Sequence, residues 1–184
     1  MAIQVHLVRH GEAKASWDTD PDPGLSENGW AQAGVVRDQL LACDPMPLLT
    51  SPLSRALQTA APLADAWRTV PIIDPIFREI PAPPDLDLHG RLAWLLSMRN
   101  LDWSQADSRL LQWRAAILQR LESLQTPTVV FTHFMVLNLV AGVASGCSSL
   151  VHYQPANGSI LTISIEDRQF TVLDWGQQAK SDVL

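Results

Sequence analysis

Pro127-Thr128-Val129-Val130-Phe131-Thr132-His133 is a continuous apolar run, entered from a proline and left at a histidine. Such a run reads as a strand buried on both faces, the kind found in parallel sheets. A second run, Ile3-Gln4-Val5-His6-Leu7-Val8, breaks off abruptly into Arg9-His10-Gly11-Glu12 and reads as a strand that delivers a charged loop. Working outward, Pro47 to Ser51 and Val70 to Asp74 are further strand candidates. Ser26 precedes a helical pattern running through Leu41, with Trp30, Ala33, Val36 and Leu40 on one stripe. Pro52 opens a helix over about Leu53 to Trp67, which Pro62 is expected to bend. Helices are also expected over Leu88 to Met98, Ala106 to Leu124 and Val136 to Ala144. Asp18 to Gly24 and Pro81 to Asp87 are loops, the second stiffened by three prolines. Ser159 to Ile165 and Gln169 to Trp175 alternate as an antiparallel hairpin.

Strands alternating with helices define an α/β fold: three layers, α/β/α, with a mostly parallel central sheet and helices on both faces. The 184 residues fit a single domain, 1–184, with a small helical insertion at about 81–105. In such sheets a ligand sits beyond the carboxyl ends of the strands. Val8 runs into Arg9-His10 and Phe131 into Thr132-His133, so two histidines are expected to enter one crevice.

Composition narrows the classes. A hydrophobic fraction of 47% against 17% charged belongs to a globular chain. The net charge of −6 points away from nucleic acid and anionic membranes. The N-terminus lacks the pattern of a signal peptide, and no stretch approaches the ~20 apolar residues of a membrane span. A cytoplasmic location is expected. Cys43 and Cys147 lack metal-ligand spacing and a disulfide framework and read as reduced thiols.

Four short segments carry candidate chemistry. In Arg9-His10-Gly11-Glu12, the cation after a buried strand needs a polar destination, the neutral imidazole is a nucleophile, and Gly11 permits a sharp turn. On residues alone the segment equally suits a loop with a surface salt bridge. In Ser51-Pro52-Leu53-Ser54-Arg55-Ala56-Leu57-Gln58-Thr59-Ala60, Arg55 sits in the first turn of a helix, where anions rather than cations are stabilised. A bound anion between that helix start and the guanidinium explains it, as does plain solvation of Arg55. Glu79, between Phe77 and the proline loop, reads as a surface carboxylate or as an acid with a raised pKa. His133 reads as a core histidine or, from its strand-end position, as a partner of His10.

Taken together, these segments resemble the histidine phosphatase (phosphoglycerate mutase-like) superfamily, in order and separation, over roughly residues 3 to 165. Leu7-Val8-Arg9-His10-Gly11-Glu12 is similar to the family signature, and Leu25 to Ala33 to its helix opening with a recurrent Gly and Gln-Ala pair. Ser51 to Ala60 resembles the second motif and Phe131-Thr132-His133 the third. The resemblance implies a metal-independent phosphomonoester hydrolase of the short phosphatase branch, needing no cofactor. His10 would be the nucleophile that forms a phosphohistidine. Arg9, Arg55 and His133 would hold the phosphoryl oxygens, with Ser16 adding a hydrogen bond, and Glu79 would be the acid-base. The substrate implied is a phosphorylated small molecule or a phosphoprotein.

Three positions depart from the family pattern. Phe134 stands where many members carry Gly, and its ring is expected either to narrow the pocket or to turn into the core. Ala13 and Ser16 replace a Thr and an Asn. Ile80-Pro81-Ala82-Pro83-Pro84 replaces a Gly-rich stretch, which opens the acid role to Glu12, Asp85 or Asp87 as alternatives to Glu79. Trp17 is the tryptophan expected near substrate, whereas Trp94, Trp103 and Trp113 are expected to pack internally. Two other functions stay open here: a phosphohistidine protein phosphatase, and a catalytically inactive phosphate-binding or interaction module. A phosphoglycerate mutase fits less well because those chains run longer. Oligomeric state is left open by the sequence.

Overall fold

The computed structural model describes residues 1–16 and 18–179. Six strands form one mixed sheet: β1 (Ile3–Arg9), β2 (Leu48–Thr50), β3 (Ile72–Ile73), β4 (Thr128–Thr132), β5 (Ile160–Glu166) and β6 (Gln169–Asp174). Their order across the sheet is β3-β2-β4-β1-β5-β6. The first four run parallel, and β5 and β6 return antiparallel as the terminal hairpin. Among the described residues, five α-helices flank the sheet: α1 (Glu27–Leu40), α2 (Ser54–Trp67), α3 (Arg91–Ser97), α4 (Ser108–Glu122) and α5 (Phe134–Ser145).

Alternation along the central strands separates two cores. Val8, Leu48, Val129 and Phe131 face one side and pack with Val36 and Leu40 of α1 and Leu63 of α2. Their neighbours Leu7, Leu49 and Val130 face the other side, against Ile117 and Leu121 of α4 and Val136 and Val140 of α5. Because β4 is covered on both faces, it is apolar at successive positions, whereas β1 alternates through Gln4 and His6 and becomes apolar on both faces only at Leu7 and Val8. The mostly parallel sheet with helices on both faces is the expected α/β/α architecture.

Register then positions the chemistry. Arg9 lies opposite Thr132 in the β1–β4 ladder, so the residues that follow, His10 and His133, leave the sheet side by side. The His10 amide donates to the Thr132 carbonyl at 3.0 Å, extending the pairing one residue past β1. On the other side of β4, Thr50 pairs with Phe131, and the Ser51 amide donates to the Phe131 carbonyl at 2.9 Å. Three carboxyl-terminal strand ends thus form one edge.

Three local expectations are corrected. In α1 the buried stripe is Gly29, Ala33, Val36 and Leu40, while Trp30 is 45% exposed. Only Ile72–Ile73 of the third strand candidate pairs, at a sheet edge where both side chains and Val70 are exposed. Finally, α5 starts at Phe134 rather than Val136, with His133 as its N-cap residue. Trp103 and Trp113 stack at 6.4 Å between ring centroids and pack against the core, as expected of internal tryptophans.

Candidate active site

His10 is buried, and its ring makes two defined contacts. Nδ1 lies 2.7 Å from the carbonyl oxygen of Gly11, and Nε2 lies 3.1 Å from Nε of Arg55. A carbonyl only accepts and a guanidinium N–H only donates, so the neutral ring carries its proton on Nδ1 and a lone pair on Nε2. Burial is the main reason its pKa lies well below the ordinary 6.5; the charges of Arg55 and then Arg9 push the same way. The imidazole is therefore held neutral, with the lone pair of Nε2 aimed at a guanidinium.

Tight backbone packing fixes that ring. The Gly11 amide donates to Oγ1 of Thr59 at 2.9 Å, and the same hydroxyl donates back to the Arg55 carbonyl at 2.6 Å. A Cβ on Gly11 would lie 2.5 Å from the Gly29 carbonyl oxygen, and one on Gly29 would lie 2.1 Å from that of Glu12. The loop after β1 and the start of α1 approach as closely as only glycine allows. This contact also turns α1 so that Gly29, not Trp30, faces inward.

His133 is fully buried, its ring edge-on to that of His10 with centroids 5.1 Å apart. Its Nε2 lies 2.8 Å from Oγ of Ser51. That hydroxyl already accepts from the Leu53 amide at 3.3 Å, so its own proton is free to go to Nε2. In the tautomer in which that hydroxyl donates to Nε2, the proton of His133 sits on Nδ1, a buried atom with no partner among the described residues. A buried N–H without a partner is costly and is a natural donor for a bound oxyanion. Burial, and then the charges of Arg55 and Arg9, hold this imidazole neutral as well.

Two buried guanidiniums complete the cationic side. Arg9 donates from Nη1 to the Pro155 carbonyl at 2.7 Å and lies 5.0 Å from the centroid of the Phe134 ring. Desolvation pulls its pKa down to about 10, so it remains charged at neutral pH. Its Nε and the Nη1 of Arg55 have no hydrogen-bond partner among the described residues. Arg55 turns inward from the first turn of α2, while the Ser54 amide and hydroxyl donate outward to Asp22 at 2.8 and 2.7 Å. Asp22, from the Asp- and Pro-rich loop, thus caps this helix start on the side away from the inward guanidinium.

Glu79 faces these cations. Its Oε1 accepts from the amides of Ile80 at 2.9 Å and Met135 at 3.2 Å. Burial raises its pKa above the ordinary 4.5, against those amides and the charges of Arg55 and Arg9. A carboxyl group whose proton is held more tightly by burial suits a general acid.

A cavity of about 380 Å³ is lined by Arg9, His10, Arg55, Glu79, Phe134 and the loop Glu12 to Ser16, among others, while His133 lies buried behind the lining. The alternative acids are placed differently. Glu12 lines the cavity, but its carboxylate accepts from Ser26 at 2.6 Å and Asn28 at 3.0 Å, contacts that hold its pKa below the ordinary range. Asp85 and Asp87 do not line the cavity, and Asp87 accepts from the Gly90 amide at 2.7 Å ahead of α3. Ser16 lines it with its hydroxyl turned to Asp18. Phe134 does both things expected of it: it is buried among Ile80, Leu95 and Met135, and it forms part of the cavity wall. Trp17 lies outside the described residues. Ser51 and Thr59 had no role assigned from sequence, although both stand in the quoted segment; a hydroxyl at a strand end and one a helical turn beyond Arg55 were the available signals.

Among the described residues, no group of three or more His, Cys, Asp or Glu side chains is placed to hold a metal ion, and no helix is long and apolar enough to cross a membrane. The family model of the histidine phosphatase superfamily (branch 1) matches residues 5–178, and the chain belongs to that superfamily. A probable phosphoglycerate mutase of Erwinia tasmaniensis is 30% identical over 129 residues, 68% of this chain and 54% of that protein. An uncharacterized protein of Mycobacterium tuberculosis is 45% identical over 65 residues, 33% of this chain and 32% of that protein. The chain thus spans between a third and about half the length of these curated relatives. Among solved structures, TTHB049 from Thermus thermophilus superposes with a TM-score of 0.61 at 27% identity, covering 94% of this chain and 98% of that one. A mycobacterial glucosyl-3-phosphoglycerate phosphatase superposes at 0.73 and 19% identity, covering 97% and 100%, a likeness of fold alone. Family membership supports an enzyme of phosphatase or mutase type.

Proposed function

We propose that the protein is a metal-independent phosphomonoester hydrolase that works through a phosphohistidine on His10. The observation that carries this reading is the neutral, buried His10 with its Nε2 lone pair directed at Arg55. An incoming phosphoryl group takes over the hydrogen bond that Arg55 now gives to the ring. The unpartnered N–H groups of Arg9 and Arg55 and Nδ1–H of His133 then receive its oxygens, with Ser16 at the rim. Neutralising those oxygens is the main task in phosphoryl transfer.

Nε2 of His10 attacks phosphorus in line as the bond to the leaving oxygen breaks. Protonated Glu79 gives its proton to that oxygen, and the alcohol departs. As a carboxylate, Glu79 next takes a proton from water, the hydroxide attacks phosphorus, and the bond to Nε2 breaks to release phosphate. The Gly11 carbonyl supports the Nδ1 proton throughout. A small-molecule substrate is favoured over a phosphoprotein because Leu92 and Leu95 of α3 form part of the cavity lining.

The test is a hydrolysis assay over phosphorylated metabolites, phosphopeptides and a phosphohistidine protein, run with a chelator present. The wild-type protein is expected to hydrolyse small phosphomonoesters, and His10→Ala, still folded, to lose all turnover. Wild-type rates in His10→Ala, or rates abolished by the chelator, would contradict the proposal.

A further inference from the structure

The cavity has two unlike halves. One is the cluster of His10, Arg9, Arg55 and Glu79. The other includes Leu92 and Leu95 of α3, Phe134 at the start of α5, Pro23, and Ala13 and Ala15 of the loop after β1. Leu95 and Phe134 belong to one buried cluster with Ile80, Met98 and Met135, so this wall is set by packing and is not free to rearrange on its own. The segment bearing α3 is pinned as well, since Arg109 donates to the Pro81 carbonyl and lies over the Trp94 ring at 5.8 Å.

Outside that cluster, four polar side chains among the described residues line the cavity, and two of them, Glu12 and Ser16, are engaged by neighbours. Both Glu12 carboxylate oxygens accept from Ser26 and Asn28, and the Ser16 hydroxyl is turned to Asp18. Among the described residues, Lys14 and Asn157 supply the other polar side chains of the lining, and Lys14 is exposed. At about 380 Å³ the cavity is near the small end of the roughly 300–1,000 Å³ usual for ligand sites. A hydroxyl pressed against leucine and phenylalanine loses water and gains no partner, whereas a ring or branched chain gains contact and loses nothing polar.

We infer that the leaving alcohol of this site's substrate is a compact apolar group, aromatic or branched, that packs against Leu92, Leu95 and Phe134, in place of a polyhydroxy sugar or glyceryl group. The inference rests on the phosphatase reading above and goes beyond it by naming the substrate class.

Benzyl phosphate and glycerol 3-phosphate test it, because both are esters of primary alcohols and neither carries an activated leaving group. The expected kcat/KM ratio favours benzyl phosphate by about 10-fold to 100-fold, the range that small apolar contacts supply. Leu92→Asn is expected to cut that ratio about tenfold, mainly through KM for benzyl phosphate, and Leu92→Ala to cut it less. Thermal melting of both variants shows that the fold is kept, and inhibition by inorganic phosphate reads the cationic half separately. Equal or better turnover of glycerol 3-phosphate, or a ratio unmoved in both variants, would overturn the inference while leaving the phosphatase reading intact. No hydrolysis of either ester or of an aryl phosphate would remove both.

Discussion

His10 and Glu79 are pushed in opposite directions by the same burial, because desolvation disfavours whichever form is charged. The imidazole stays neutral well below pH 6.5, and the carboxyl group keeps its proton above pH 4.5. On the proposed mechanism, the form active on alkyl phosphates has neutral His10 and protonated Glu79. Activity is then lost as pH falls through the depressed pKa of His10 and lost again as pH rises through the elevated pKa of Glu79. Glu79→Gln should keep the carbonyl that receives the Ile80 and Met135 amides but remove the proton. It is expected to slow alkyl phosphates by about 10²–10⁴-fold, slow activated aryl phosphates far less, and abolish the alkaline limb. Rates measured for both ester types across pH check this; equal slowing, or a surviving alkaline limb, would take the acid role from Glu79. Residue chemistry was legible where a short segment carried it: His10 after a strand, Arg55 in a helix's first turn, His133 at a second strand end. Ser51 and Thr59 were not, because a hydroxyl has no evident purpose until the groups it meets across the chain, His133 and the Gly11 amide, are known.

Elements were read correctly where burial is two-sided, as in β4, since a continuous apolar run then suffices, and where an apolar-rich run breaks off sharply, as β1 does at Arg9. They were read less well where a backbone contact overrides the pattern. In α1 the large apolar side chain of Trp30 suggested an inward face, but the inward position is occupied by Gly29, against the Glu12 carbonyl. The second half of the third strand candidate, Ile72 and Ile73, is apolar yet exposed at a sheet edge, a placement that strand composition does not reveal. The glycine contact makes an element-scale prediction. Gly29→Ala should destabilise the protein by roughly 1–3 kcal/mol, since only backbone lies in the way of the new methyl group. Gly34→Ala in the same helix meets nothing within 4 Å and should stabilise by about 0.5–1 kcal/mol. Urea midpoints of the two variants decide it: a Gly29→Ala protein as stable as Gly34→Ala would show that the loop after β1 is not held against α1.

Across the whole molecule, a chain of net charge −6 concentrates buried cationic side chains at one edge of its sheet. Parallel register does this, because Arg9 opposite Thr132 and Thr50 opposite Phe131 bring three strand ends level. Attraction for a phosphate is thus local and short-ranged, set in a low-dielectric site that overrides the overall charge. The architecture was foreseeable from the alternation of elements. The direction taken by the proline loop after Ile80 was not, because its course depends on packing of α3 against Phe134 and Met135 that joins distant parts of the chain. The decisive question is which atom receives the phosphoryl group. Wild-type protein mixed briefly with an aryl phosphate, quenched in alkali and mapped by peptide mass spectrometry should carry that group on the imidazole of His10 and on no other residue. Turnover with the phosphoryl group found on His133, or with no phosphorylated peptide while the burst phase is under way, would contradict it.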